Sequence, residues 1–504
     1  MPVDLMPASA DLIRLLPEIV LTLMGTLLMV LAAILRKRSS NAYGNLSIAA
    51  LLAALGAAVY AYTRQGPAFG NMLVVDGLAT FFRALVIVVG ILTVLASYRF
   101  LRRQGAETGE YHALLLFSIA GQCLMAAAND LIVVFIGLEI SSLASYVMVG
   151  YLRDDKRANE AALKYFLLGS FATAFFLYGV ALVYGITGTI NLSGVRAALT
   201  APESCLQAGA GSVLCVQNWL APWPIFLGVA AALLFVGLGF KVSAAPFQIW
   251  APDVYQGAPS PVTAFLSTGP KAAAFAVFLR IFMSAFEPGG AAWEPLVWFS
   301  ALASMTIGNF AALRQSNVKR MLAYSSIAHA GYVLVALTAR SADGAAAVMF
   351  YLGAYAFMNI GAFAVVGHLA GKGERYQDIE DFGGLGQKQP LTAAMLTIFL
   401  LSLIGVPLTG GFFGKFYIFK AALESHLVWL TVLGLLNSAV AAYYYLRVLV
   451  MMYFREPSQA AIEAEPLRPG LRAALLVSAV ATLFLGIFPN WVLDFSNKSA
   501  AMMK

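Results

Sequence analysis

Apolar runs of spanning length recur along the chain, near residues 13–35, 43–63, 74–98, 112–128, 130–150, 160–186, 224–249, 261–285, 293–312, 318–338, 343–370, 390–420, 428–454 and 471–493. A helix needs about 20 apolar residues to cross a bilayer, so the pattern predicts an all-α polytopic membrane protein of about 14 transmembrane helices. The fourth and fifth runs are divided only by the polar turn at Asn129 and Asp130. The first run lacks a basic leader and a small-residue cleavage site, so it reads as the first span and not as a cleaved signal.

Composition agrees with this pattern: 61% of the 504 residues are hydrophobic and 11% charged, against roughly 25% charged in a soluble domain. Mean hydropathy is +0.80. The net charge of +7 would suit a nucleic-acid partner only if it formed a stripe on a soluble surface. Instead, the basic residues cluster between apolar runs. Loops after odd-numbered spans, the seventh excepted, carry Arg36, Lys37, Arg38; Arg99, Arg102, Arg103; Arg153, Lys156, Arg157; Arg314, Lys319, Arg320; Lys372, Arg375, Lys388; and Arg455, Arg468, Arg472. Loops after even-numbered spans hold little beyond Arg64, Arg196 and Arg340. Positive charge is retained on the cytoplasmic side, so both termini are expected outside. The long connection at 190–223 then also lies outside, where Cys205 and Cys215 are either a disulfide or two free thiols. With Cys123 they make three cysteines and no CxxC, so neither an iron–sulfur cluster nor a structural zinc has a ligand set.

Two spans are interrupted: the seventh at Ser243-Ala244-Ala245-Pro246 and the twelfth at Gly405-Val406-Pro407-Leu408-Thr409-Gly410-Gly411. Pro246 and Pro407 each remove an amide donor, and Gly410 and Gly411 loosen the second break, leaving carbonyls for water or side chains to satisfy. Each break has a lysine beside it, and the two are five spans apart. An odd offset reverses direction in the membrane, as an inverted repeat of spans 4–8 on spans 9–13 requires. The expected divisions are residues 1–111 (spans 1–3), 112–285 (first half), 286–454 (second half) and 455–504 (span 14).

Ionisable groups within spans are costly, roughly 2.5–3.5 kcal/mol on insertion scales, and mark function by default. Glu139, Lys241, Lys271 and Lys415 all fall deep inside apolar runs. One acid with one lysine would read as a packing ion pair; three lysines for one acid, two of them at breaks, read as a proton relay. Charges about 4 Å apart interact by roughly 4 kcal/mol at an effective dielectric of 20. A switchable Glu139–Lys241 contact would therefore drive a proton through Lys271 toward Lys415. Lys164 reads either as an i,i+4 interface partner of Glu160 or as a relay group. His329, His368 and Tyr444 read either as packing residues or as proton carriers. Asp76 and Arg447 read as interface anchors.

The segments GLGFKVSAAPFQIWAPDVYQGAPSPVTAFLSTGPKAA, VKRMLAYSSIAHAGY and SLIGVPLTGGFFGKF resemble the antiporter-like subunits of respiratory complex I, NADH:quinone oxidoreductase, and the resemblance runs over essentially the whole chain. The opening LLPEIVLT, the stretch around Glu139, and lysine at position 415 are similar to that family's subunit N branch. The resemblance implies fourteen helices in two inverted five-helix bundles, with the seventh and twelfth broken. It also implies a relay of Glu139, Lys241, Lys271 and Lys415 in a bacterial inner membrane, with periplasmic termini. No cofactor is expected in this chain; flavin, iron–sulfur clusters, NADH and quinone belong to partner subunits. A small helical subunit is expected on one flank and another antiporter-like subunit on the other. The outer loop around Glu203 to Asn218 is longer than the family pattern. The alternative reading is a subunit of a cation/proton antiporter or membrane-bound hydrogenase.

Overall fold

A computed structural model of the chain describes residues 9–35, 41–106, 108–200 and 223–502. Cys205 and Cys215 lie outside the described residues, as do Arg36, Lys37, Arg38 and the segment from Glu203 to Asn218. The long helices are α1 (Leu16–Leu35), α2 (Ala42–Tyr62), α3 (Gly77–Gln104), α4 (Gly109–Ala127), α5 (Leu131–Val149), α6 (Lys156–Thr187) and α7 (Trp223–Val242). They continue with α8 (Ser260–Ala285), α9 (Gly290–Leu313), α10 (Val318–Thr338), α11 (Ala342–Leu369), α12 (Pro390–Ile404), α13 (Val428–Phe454) and α14 (Pro469–Ile487). A two-stranded antiparallel hairpin, Gly66–Ala68 on Leu73–Val75, joins α2 to α3.

Among the described residues, 12 helices are long and apolar enough to cross a membrane. The other two expected spans take different forms. The fourth is the 19-residue α4, whose run contains Glu110, His112, Ser118 and Gln122. The twelfth is divided into α12 and the helix Gly410–Glu424. The last expected span, 471–493, is corrected: α14 stops at Ile487, and a separate helix, Asn490–Ala501, follows Pro489.

Short polar residues start several of these helices by satisfying orphan backbone amides. Asp130 accepts from the Ile132 amide at 2.9 Å, Asn317 from Arg320 at 3.0 Å and Ser341 from Gly344 at 3.0 Å. Packing is layered around α8, α10 and α11. Their most apolar stretches are 94–100% buried, whereas those of α1, α6 and α13 are 28–33% buried and present residues such as Phe171 and Tyr443 outward. A polar group on the central three helices is therefore sealed from lipid. The helix α5, which carries Glu139, is pressed against α4: a Cβ on Gly121 would lie 2.6 Å from the Gly137 carbonyl oxygen.

Candidate functional site

The α7 helix ends at Val242, one residue after Lys241. The chain then passes through Ser243, in the left-handed region at φ +61°, before the helical segment Trp250–Gly257. Serines of α9 satisfy the freed backbone: the Ala245 amide donates to Ser304 Oγ at 2.8 Å, and the Ser300 hydroxyl donates to the Ala245 carbonyl at 2.5 Å. The side chain of Lys241, only 3% exposed, donates to Ser142 Oγ at 2.8 Å and to the Tyr165 hydroxyl at 3.2 Å. Its ammonium lies 5.4 Å and 5.8 Å from the ring centroids of Tyr165 and Tyr146, close enough for cation–π attraction.

Past the break, Trp250 stacks on Tyr165 with ring centroids 4.4 Å apart, and Tyr255 meets Trp250 edge-on at 5.9 Å. The Tyr255 hydroxyl lies beside both Ser243 and Ser326. Ser326 is in turn the partner of Lys271, which donates to its Oγ at 2.6 Å. The break thus places aromatic rings and hydroxyls between the first lysine and the second, whose ammonium lies 5.6 Å from the Tyr255 ring centroid.

Lys271, 2% exposed, follows a third interruption. The α8 helix is divided at Ser267 and Thr268, with Gly269 and Pro270 opening its second piece and a π-helical turn at Leu279–Ala285. From Lys271 a polar line runs down α10. Tyr355 also donates to Ser326 Oγ, at 2.8 Å. One turn on, His329 hydrogen-bonds Tyr351 through Nδ1 and Tyr445 through Nε2, the latter at 3.1 Å. Tyr445 contacts Ser325 and packs on Tyr444 with ring centroids 4.4 Å apart. Tyr444 donates to Asn309 Oδ1 at 3.1 Å, and the Asn309 amide donates to the Tyr332 hydroxyl at 3.2 Å.

The Tyr332 ring lies 4.8 Å from the ammonium of Lys415. The α12 helix ends at Gly405 (φ +94°), and the chain passes through Leu408 (φ +70°) before Gly410. Lys415 reaches back across this break to donate to the carbonyls of Leu403 at 3.0 Å and Ile404 at 2.9 Å, and to Ser438 Oγ at 2.8 Å. These carbonyls are the negative end of α12, where a cation is favoured. Gly411 is required by space, since a Cβ there would meet the Ser402 carbonyl oxygen at 1.9 Å. Pro246 and Pro407 lie exposed within the two breaks.

No ion pair joins Glu139 to Lys241 in this arrangement, where the bonds of the lysine go to Ser142 and Tyr165. Glu139 is half-buried on the outward side of α5, with Ile136 and Ile140 exposed nearby, and its Oε1 is buried without a hydrogen-bond partner. Ser142, one turn away, meets the lysine instead. Lys164 bridges Glu160 at 2.8 Å and Asp253 at 2.9 Å at the rim. His368 is 13 residues, roughly 20 Å of helix, beyond Tyr355. It bonds Gln389 at 3.0 Å and stands apart from the line through His329. Arg447 donates to the Leu313 and Gln315 carbonyls at a helix end.

A family model described as "NADH:quinone oxidoreductase/Mrp antiporter, TM" matches residues 128–441, which include Glu139, Lys241, Lys271, His329 and Lys415 and end just before Tyr444 and Tyr445. The chain is 71% identical to NADH-quinone oxidoreductase subunit N 1 of Solibacter usitatus, over all of both chains. The chain belongs to the NADH-quinone oxidoreductase subunit N family. Among solved structures, this subunit N family member is similar to a chain of respiratory complex I from Thermus thermophilus (35% identity, TM-score 0.77, covering 95% of this chain and 98% of that one). It is also similar to a chain of an archaeal membrane-bound sulfane sulfur reductase (28% identity, TM-score 0.81, 98% and 97% covered).

Three ion pairs of this subunit N family member, two buried and one part-buried, escaped the sequence reading. Lys319, expected as a loop charge, is corrected: it is fully buried, 2.6 Å from Glu374 Oε2 and 2.6 Å from the Ala258 carbonyl. Glu374 also accepts from the Ser260 amide and hydroxyl and thereby holds the start of α8. Glu18 pairs with Arg83 at 2.6 Å. Asp76 caps α3 and receives two bonds from Arg280, at 2.9 and 3.1 Å. Each partner lies between 55 and 204 residues away, so local spacing carries no signal of it. Among the described residues no cluster of His, Cys, Asp and Glu is positioned to hold a metal ion.

Proposed function

We propose that this chain carries protons across the membrane as a non-redox subunit of NADH-quinone oxidoreductase, along Lys241, Lys271, His329, Tyr444 and Lys415, with Glu139 biasing Lys241 from outside the line. The observation that carries the reading is a contrast among the buried lysines. Lys319 is locked to a carboxylate at 2.6 Å, whereas Lys241, Lys271 and Lys415 are held only by hydroxyls, carbonyls and aromatic faces. A lysine with neutral partners exchanges its proton without breaking an ion pair. An antiporter-like subunit occupies one flank of the chain, and the Glu139 oxygen without a hydrogen-bond partner lies on the outward side of α5. The flavin, clusters, NADH and quinone belong to partner subunits, and a small helical subunit occupies the other flank. The high identity to a subunit N, against 21% to a chain of an Mrp complex, favours this over a stand-alone antiporter.

The test is Lys241→Ala in inverted vesicles. NADH-driven acidification and NADH:quinone turnover are expected to fall together by about tenfold, equivalent to ~1.4 kcal/mol on the barrier, while electron transfer from NADH to ferricyanide persists. Wild-type acidification in an assembled complex would remove Lys241 from the path.

The interruptions of α7 and of the twelfth span, five spans apart, support a division into inverted halves at 112–285 and 286–454, with residues 1–111 and 455–504 outside them. The basic ends of α3, α11 and α13 support a cytoplasmic position for that end of the bundle and periplasmic termini. A Lys372→Cys variant should react with an impermeant maleimide only from the cytoplasmic side; labelling from the periplasm would reverse the orientation.

A further inference from the structure

At the end of the bundle where α2, α3 and the start of α14 meet, a groove of about 380 Å³ opens outward. One part of its wall is strongly basic: Arg99, Arg102 and Arg468 line it together with Asn41, Asn45 and Tyr98. Arg102 and Arg468 are exposed, and Arg99 is half-buried. Side-chain bonds hold this wall in place. Arg102 donates to Asn41 Oδ1 at 2.7 Å, Tyr98 to Asn45 Oδ1 at 2.6 Å, and Arg99 to the Pro466 carbonyl at 2.9 Å. Glu465 pairs with Arg99 at 2.7 Å but is itself 58% exposed. Arg103 and Arg468 both crowd Arg99 with like charge, so an anion seated here would relieve repulsion among guanidinium groups, of which those of Arg99 and Arg102 are already held by side-chain bonds.

The remaining wall is apolar, formed by Ile48, Leu95 and Leu471. The apolar surface then continues away from the arginines. On α2 the series Asn45, Ile48, Leu52, Val59 follows one helical face, and Leu52 and Val59 are 54% and 58% exposed. On α14 the series Gly470, Val477, Val480 does the same, with Val477 and Val480 49% and 65% exposed. A soluble anion would use only the basic end. An amphiphile with an anionic head and an acyl tail matches the whole sequence of surfaces, and guanidinium forks suit a phosphate through paired hydrogen bonds. Basic recesses between transmembrane helices are where lipid headgroups bind.

We propose that this groove binds one anionic phospholipid, its phosphate held by Arg99, Arg102 and Arg468 and an acyl chain laid along the outer faces of α2 and α14. The experiment uses the purified oxidoreductase containing this chain, labelled with photoactivatable phosphatidylglycerol or with phosphatidylcholine carrying the same acyl crosslinker, followed by peptide mass spectrometry. Phosphatidylglycerol is expected to label peptides spanning residues 45–59 and 470–480 in clear excess over phosphatidylcholine, and excess inorganic phosphate should leave that labelling in place. The double variant Arg102→Gln, Arg468→Gln should lose about tenfold in labelling, and Arg102→Lys, Arg468→Lys should keep most of it. Equal labelling by the two lipids, labelling unchanged in the glutamine variant, or displacement by inorganic phosphate would each overturn the proposal. If the glutamine variant fails to assemble, the ratio of the two lipids on the unaltered complex decides.

Discussion

Lys415→Arg is expected to yield an assembled complex that oxidises NADH yet moves protons at least about tenfold more slowly, while Lys415→Ala loses both proton movement and part of the assembly. The two outcomes differ because the proposed relay gives Lys415 two tasks. As a cation at the end of α12 it satisfies the Leu403 and Ile404 carbonyls; leaving such buried acceptors bare costs about 1–3 kcal/mol each. Arginine can supply those bonds. It cannot act as a carrier, because a guanidinium stays protonated in proteins. A tenfold loss corresponds to ~1.4 kcal/mol on the barrier. The measurements are acidification of inverted vesicles, NADH:quinone turnover and the amount of complex on a native gel. Wild-type acidification by the arginine variant would leave Lys415 as a helix cap and nothing more.

The other large effect is structural. Glu374→Ala leaves the ammonium of Lys319 fully buried without its counter-ion and frees the Ser260 amide at the start of α8. Removing one partner of a buried pair costs about 3–5 kcal/mol, whereas replacing both with apolar groups is far milder. The single variant should therefore accumulate little complex and unfold at a lower temperature, and the double variant Lys319→Met, Glu374→Leu should recover much of the loss. A Glu374→Ala complex with unchanged content and thermal midpoint would contradict the assignment of Glu374 as an obligatory counter-ion. The same comparison separates the two classes of buried lysine, because no second substitution of this kind can rescue proton movement in Lys415→Ala.

Particular residues show where sequence and tertiary structure divide the information. The spans, the two lysine-bearing breaks, and Glu139 and Lys271 inside apolar runs were legible in one dimension, because a bilayer imposes a length of about 20 apolar residues and penalises every charge within it. Gly405, Gly410 and Gly411 likewise announced the break beside Lys415. The interruption of α8 carried a weaker signal in Gly269 and Pro270 and was read as continuous helix. Lys319 was misread as a loop charge because its run of basic neighbours is a good topology signal; only the fold brings Glu374 over it.

By itself, the sequence determined an all-helical membrane protein, the breaks in the seventh and twelfth spans, and the charges of Glu139, Lys241, Lys271 and Lys415 inside spans, since those follow from the solvent the chain must inhabit. The tertiary structure alone decided which charges are locked and which are held by neutral groups. It gave Lys241 to Ser142 and Tyr165, with Glu139 held at a distance, and it joined Lys271 to Lys415 through His329 and the tyrosines of α11 and α13. Those partners come from different helices, and hydrogen bonds a few ångströms long are fixed by how helices pack, which the period of a single helix does not encode.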